Sequence, residues 1–135
     1  MRRHLDRYER SDPSMTMGFA VHLYNKGDEF LFEAMKWADY AMENRQMWEA
    51  GDNFVDNTIG LYKLRANIAT KMWLIAENQF RETQSPEAQE EANITRGKAK
   101  NCAREWLDYA KASKRDTDRA FKLCVSAAGD SAFCQ

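Results

Sequence analysis

The residues best suited to covalent or metal chemistry are few: three cysteines, Cys102, Cys124 and Cys134, and two histidines, His4 and His22. Cys124 and Cys134 have nine residues between them in CVSAAGDSAFC, and Gly129-Asp130 at the middle of that segment makes a good turn. A turn there lets the two thiols meet, so Cys124 and Cys134 are the candidates for a disulfide. Closing so short a loop would add ~2–3 kcal/mol. The leading reading is nonetheless three reduced thiols in a reducing compartment, with the disulfide second. Metal binding needs several nitrogen or sulfur donors at fixed spacing. His4 and His22 are far apart, with no Cys-x2-Cys, His-x3-His or Glu-x-x-His pattern around them. No metal and no cofactor is expected, and His22 reads as a half-buried core residue.

Enzyme signatures are missing. There is no Walker loop, no Gly-x-Gly-x-x-Gly, no Gly-x-Ser-x-Gly and no His-Glu-x-x-His. Acid–base chemistry would have to rest on carboxylates such as Glu29 and Glu33, which share a helix face. Exposed Glu pairs of this kind are ordinary, so no catalytic residue is assigned and the expectation is a protein that is not an enzyme. An enzyme or small-ligand carrier built on paired carboxylates is the remote alternative.

The 20 basic and 21 acidic residues leave a formal charge of -1, but they are unevenly placed. Residues 28–56 hold Asp28, Glu29, Glu33, Asp39, Glu43, Glu49, Asp52 and Asp56 against Lys36 and Arg45, net -6. Residues 96–122 are net +5. Such runs are two solvated helix faces that attract one another, or a bipolar surface that orients the protein in an assembly. The basic stretch RGKAKNCAREWLDYAKASKR also interleaves Trp106 and Tyr109, a pattern that can stack on bases. Glu105 and Asp108 dilute it, and Trp106 is in phase with Ala99, Ala103 and Ala110, so no nucleic-acid partner is expected. Asn93-Ile94-Thr95 is a glycosylation sequon only in a secreted protein. Residues 1–12 carry four arginines but no apolar stretch of signal-peptide type. No apolar run is long enough to span a bilayer.

The elements that must carry these residues are helical. Ser14 can cap a helix over 15–26, ended by Gly27 in a left-handed conformation, and Asp28 can cap the next, over 29–44. In that second helix Phe30, Ala34, Trp37, Ala38 and Ala41 share one face. Residues 45–50 continue or restart helically, with Gly51 as a stop and Asp52 or Asn53 as the next cap. Val55, Ile59, Tyr62, Ala66, Ala69, Trp73, Ala76 and Phe80 then step as a heptad seam. One helix over 53–82 follows, about 45 Å long at 1.5 Å per residue. Ser85-Pro86 restarts a helix over 86–112, with Gly97 as a weak point. Asp116 or Thr117 caps a last helix to about 127, and Gly129 ends it.

Three segments look alike: AMKWADYA from Ala34, ATKMWLIA from Ala69 and AREWLDYA from Ala103. Each has alanines seven apart and a tryptophan near the middle, at offsets of 35 and 34 residues. This resembles the second helix of a tetratricopeptide (TPR) repeat, and LYNKGDEFLFEA looks like that repeat's turn. The resemblance implies helix breaks near 62–64 and 96–98 and a concave groove for a peptide. Any chain of long heptad helices gives similar offsets. The Cys-x9-Cys segment resembles half of the twin Cys-x9-Cys hairpin of the mitochondrial intermembrane space. The full twin motif needs a second such pair, and Cys102 is the one cysteine left over here.

The expected fold is therefore all-α, an antiparallel bundle of long amphipathic helices or helical hairpins, with a TPR-like array as runner-up. The expected organisation is an N-terminal arm at 1–14, a helical domain at 15–127 and a C-terminal tail at 128–135. Large side chains exceed what a small bundle comfortably buries: Trp37, Trp48, Trp73, Trp106, Tyr40, Tyr62, Tyr109, Met35, Met42 and Met72. Aromatics and Met are enriched where proteins pack on one another. The expected function is a non-catalytic accessory subunit of a multiprotein assembly. Its partners are other protein subunits, a membrane-attached complex included, and its own chain does not cross the membrane. A TPR-like peptide adaptor is the alternative. Met47, Trp48, Arg96, Lys98 and Lys100 are the candidate partner surface. The expected location is intracellular, with the mitochondrion ahead of the cytoplasm.

Overall fold

The computed structural model of the chain describes residues 12–49 and 53–135. His4, Gly51, Asp52 and nearly all of the 1–14 arm lie outside the described residues. Among the described residues there are five α-helices and no strand, so the fold is an all-α bundle. The helices are α1 (Pro13–Lys26), α2 (Leu31–Glu43), α3 (Phe54–Thr83), α4 (Pro86–Ala112) and α5 (Asp118–Ala128). Single 3-10 turns at Asp28–Phe30 and Arg45–Trp48 flank α2. The chain divides into two compact units, Met1–Arg65 and Ala66–Gln135, and α3 contributes to both.

In the first unit α1 begins at Pro13 and is capped by Asp12, where the sequence suggested Ser14. The Asp12 carboxylate accepts from the backbone N–H of Ser14 at 3.0 Å and of Met15 at 3.4 Å. Pro13 fits N1 because its missing N–H would have had no partner there. Thr16, Ala20 and Leu23 face inward at helical spacing. Gly27 ends α1 at φ 150°, ψ 169°, a conformation open to glycine but not the left-handed helical one expected. That extended exit makes Asp28–Phe30 a 3-10 turn, so Asp28 lies inside that turn and α2 starts two residues later than read.

The inward face of α2 holds Ala34, Trp37, Ala38 and Ala41, as the spacing indicates, together with Leu31 and Met35. Trp37 is fully buried. Its ring meets Phe19 of α1 edge-on at 5.0 Å and Tyr40 at 5.3 Å. Each such pair contributes ~0.5–1.5 kcal/mol beyond burial. The early part of α3 closes this unit. Arg65 Nε donates to the Asp39 carboxylate on α2 at 2.9 Å, and a Cβ at Gly60 would already touch Met17 of α1 at 3.4 Å.

The second unit contains the rest of α3, then α4 and α5. Ser85 accepts from the Ala88 N–H at 3.1 Å and Pro86 occupies N1, as the sequence suggests. α4 runs through Gly97 without a break. Ala99, Ala103, Trp106 and Ala110 are buried in phase, joined by Ala92, Thr95, Cys102 and Leu107. Gly129 ends α5 at φ 85°, the left-handed conformation expected. The seam read along α3 is only partly the buried one. Ala66, Ala69 and Ala76 are buried, but Val55, Ile59, Tyr62, Trp73 and Phe80 are half-exposed, and Thr58, Leu61 and Ile68 lie deeper. A helix that serves two units buries more than one stripe. α3 also runs unbroken through 62–64, and α4 through 96–98, so the turns that a TPR repeat needs at those places are helical instead.

Candidate functional site

The basic face of α4 is where side chains with chemistry converge. Arg96, Lys100, Arg104 and Lys111 stand at helical spacing on it, and the segment after α5 folds back against them. Arg96 Nε donates to the Ala127 carbonyl at 2.6 Å. The last carbonyls of an α-helix have no partner within it, so Arg96 satisfies one of those at the end of α5. Arg104 Nη1 donates to the Phe133 carbonyl, and Lys111 Nζ to that of Gln135 at 3.2 Å. The Phe133 ring lies under two cations, Lys100 Nζ at 4.8 Å and Arg104 at 5.5 Å. Arg96 sits 5.9 Å from the Trp73 ring centroid.

The loop that meets this face is shaped by its own residues. Asp130 Oδ1 accepts from the backbone N–H of Ala132 at 2.9 Å and of Phe133 at 3.2 Å, an Asx turn. Cys124 and Cys134, the two candidates, are joined as a disulfide and both are buried. Cys102 is a buried thiol outside that bond. Gly129 serves there for the left-handed turn, at φ 85°, and a Cβ on it would push aside the end of the Arg96 guanidinium, 2.8 Å away.

Beside the fold-back, α4 and the end of α5 enclose an open cleft of about 260 Å3 lined by Asn93, Arg96, Gly97, Lys100, Ala127 and Ala128. Of the three basic candidates, Arg96 and Lys100 therefore share one cleft, while Lys98 is exposed outside it. Met47 and Trp48 belong to the first unit. Met47 is 57% exposed. Trp48 is half-buried and its Nε1–H donates to Ser14 Oγ at 2.7 Å, an internal contact that ties the 3-10 turn to α1.

Most of the apparent aromatic surplus is absorbed within the fold. Trp37 and Trp106 are core, and Trp73 is half-buried beside Arg96. Among the described Phe, Tyr and Trp residues only Phe32 is exposed, at 77%. Phe32, Leu74 and Ile94 escaped the sequence reading. For Phe32 and Ile94 the signal was phase, since each stands beside a buried residue, Leu31 and Thr95, and off its stripe. His22 is exposed and stacked on Phe19, centroid to centroid 6.4 Å, where half-burial was expected.

Among the described residues no group of His, Cys, Asp and Glu is placed to hold a metal ion, and no helix is long and apolar enough to cross a membrane. No family model, curated protein or solved structure matches the chain.

Proposed function

We propose that the chain is a non-catalytic helical accessory subunit that packs into a larger protein assembly. The observation that carries this reading is the placement of large apolar side chains in water. Phe32 is 77% exposed and Met47 57% in the first unit, and Leu74 is 54% and Ile94 59% exposed in the second. Single exposed apolar residues are common, but a phenylalanine left almost entirely in water beside a well-filled core is what a partner-covered position looks like. The split charge supports the same reading, because opposite patches orient a subunit among its neighbours. The acidic run 28–56 belongs to the first unit and the basic run 96–122 to the second.

The Cys124–Cys134 bond fits an oxidising compartment, and the mitochondrial intermembrane space is the location proposed. Affinity purification from the native source, with mass spectrometry, tests the function. A stoichiometric protein partner is expected, and Phe32→Asp with Met47→Asp should release it while the helical content stays unchanged. A monodisperse monomer with no partner, or a partner indifferent to both substitutions, would sink the reading.

A further inference from the structure

The cleft on α4 brings two cations together with no acid paired to them among the described residues. Three bases elsewhere are paired with acids, Arg65 with Asp39, Arg104 with Asp108 and Lys122 with Asp118, while Lys26 and Lys36 lie over aromatic rings. Arg96 and Lys100 meet only a carbonyl and aromatic faces. They are one helical turn apart, and like charges at that spacing repel. Arg96 is also held in place. Its Nε is occupied by Ala127 and its guanidinium lies near the Trp73 ring. A guanidinium fixed at Nε still has its Nη donors to offer, and these match phosphate geometry. Occupation of the Ala127 carbonyl screens the negative end of α5, which would otherwise oppose an anion.

Gly97 supplies the room. It stands inside α4, where glycine costs stability relative to alanine. A Cβ built there meets nothing within 4 Å, so no neighbour in the protein explains the missing side chain.

From this geometry we infer that the cleft binds a phosphate group, through the Arg96 fork, the Lys100 ammonium and the Asn93 amide. Two cations without a counter-charge suit a dianion better than a single carboxylate. The phosphate belongs to a soluble phosphate ester or to a lipid headgroup. Arg96 and Lys100 belong to the basic run that the subunit reading invokes, but the site holds neither Phe32 nor Met47, so the Phe32→Asp and Met47→Asp test and the phosphate test fail separately.

Titration of the full-length oxidised chain with inorganic phosphate at low ionic strength, followed by amide NMR, tests it. Saturable shifts are expected at Asn93, Gly97 and Lys100. Lys100→Met and Gly97→Leu should each weaken binding at least about tenfold, as loss of a charge-assisted hydrogen bond or filling of the cleft implies. Lys98→Met, outside the cleft, should leave it within about twofold. Gly97→Leu introduces a better helix former, so a loss of binding there is not a loss of fold. Absence of saturable shifts, or shifts that Gly97→Leu and Lys100→Met leave intact, overturns the proposal. Vesicles of phosphatidylcholine with and without phosphatidic acid separate the two sources. Sedimentation with the phosphatidic-acid vesicles that Gly97→Leu abolishes assigns a lipid headgroup. No sedimentation, with phosphate binding retained, assigns a soluble ester. Vesicle binding indifferent to Gly97→Leu counts against the cleft.

Discussion

Trp37 shows how much one side chain can hold in this protein. It is fully buried between Phe19 and Tyr40, and its indole Nε1 is a buried donor with no partner among the described residues. Truncation to alanine removes the ring contacts and leaves a cavity, so Trp37→Ala should cost about 3–5 kcal/mol in urea unfolding. A loss under 1 kcal/mol would mean that the α1–α2 pair does not depend on this ring. At Gly129 the positive φ is the constraint, and the guanidinium 2.8 Å from the place of any Cβ would have to move aside. Gly129→Ala should therefore destabilise by about 1–2 kcal/mol and lower the order of the fold-back, which amide exchange would register. Neither effect could be assigned from composition. The sequence marks Gly129 as a helix end, but the arginine that closes on it lies 33 positions earlier.

Caps and ends decide the elements, and here sequence legibility varied for physical reasons. α4 was readable to the residue because Ser85-Pro86 is a strong start and the Ala/Trp phase persists to its end. α1 was read late because Ser14 competed with Asp12, two residues that both suit an N-cap. The structure gives the cap to the carboxylate and leaves Ser14 Oγ to accept from Trp48. Asp12→Ala should then cost about 1 kcal/mol, and Ser14→Ala less, in parallel thermal melts; equal losses would contradict that division. The end of α3 at Gln84 had no glycine to announce it, for Gln84 itself takes φ 54°. The candidate site was legible only in part. Arg96 and Lys100 stood out as charge, but the cleft depends on Gly97 and on the end of α5, which only the fold brings beside them. The buried stripe of α3 was misjudged because a heptad count assumes one partner face, whereas this helix belongs to two units.

For the whole molecule the disulfide is the simplest handle. Cys124 and Cys134 close a short loop at one edge of the second unit, and cross-linking such a loop restricts the unfolded chain. Reduction under denaturing conditions followed by refolding, or Cys124→Ser with Cys134→Ser, should lower stability by about 2–3 kcal/mol. Protection should fall first in α5 and at the end of the chain, with the α1–α2 pair unchanged. A uniform loss of protection across both units would show that they unfold as one. The pairing of Gly129 with Arg96 also has a consequence for descent. A side chain at 129 would displace the end of the Arg96 guanidinium, so a homologue without glycine at 129 should carry a displaced fork. Where Gly129 has given way, the cleft should keep its arginine but lose the fixed position of the fork, and anion affinity should fall with it.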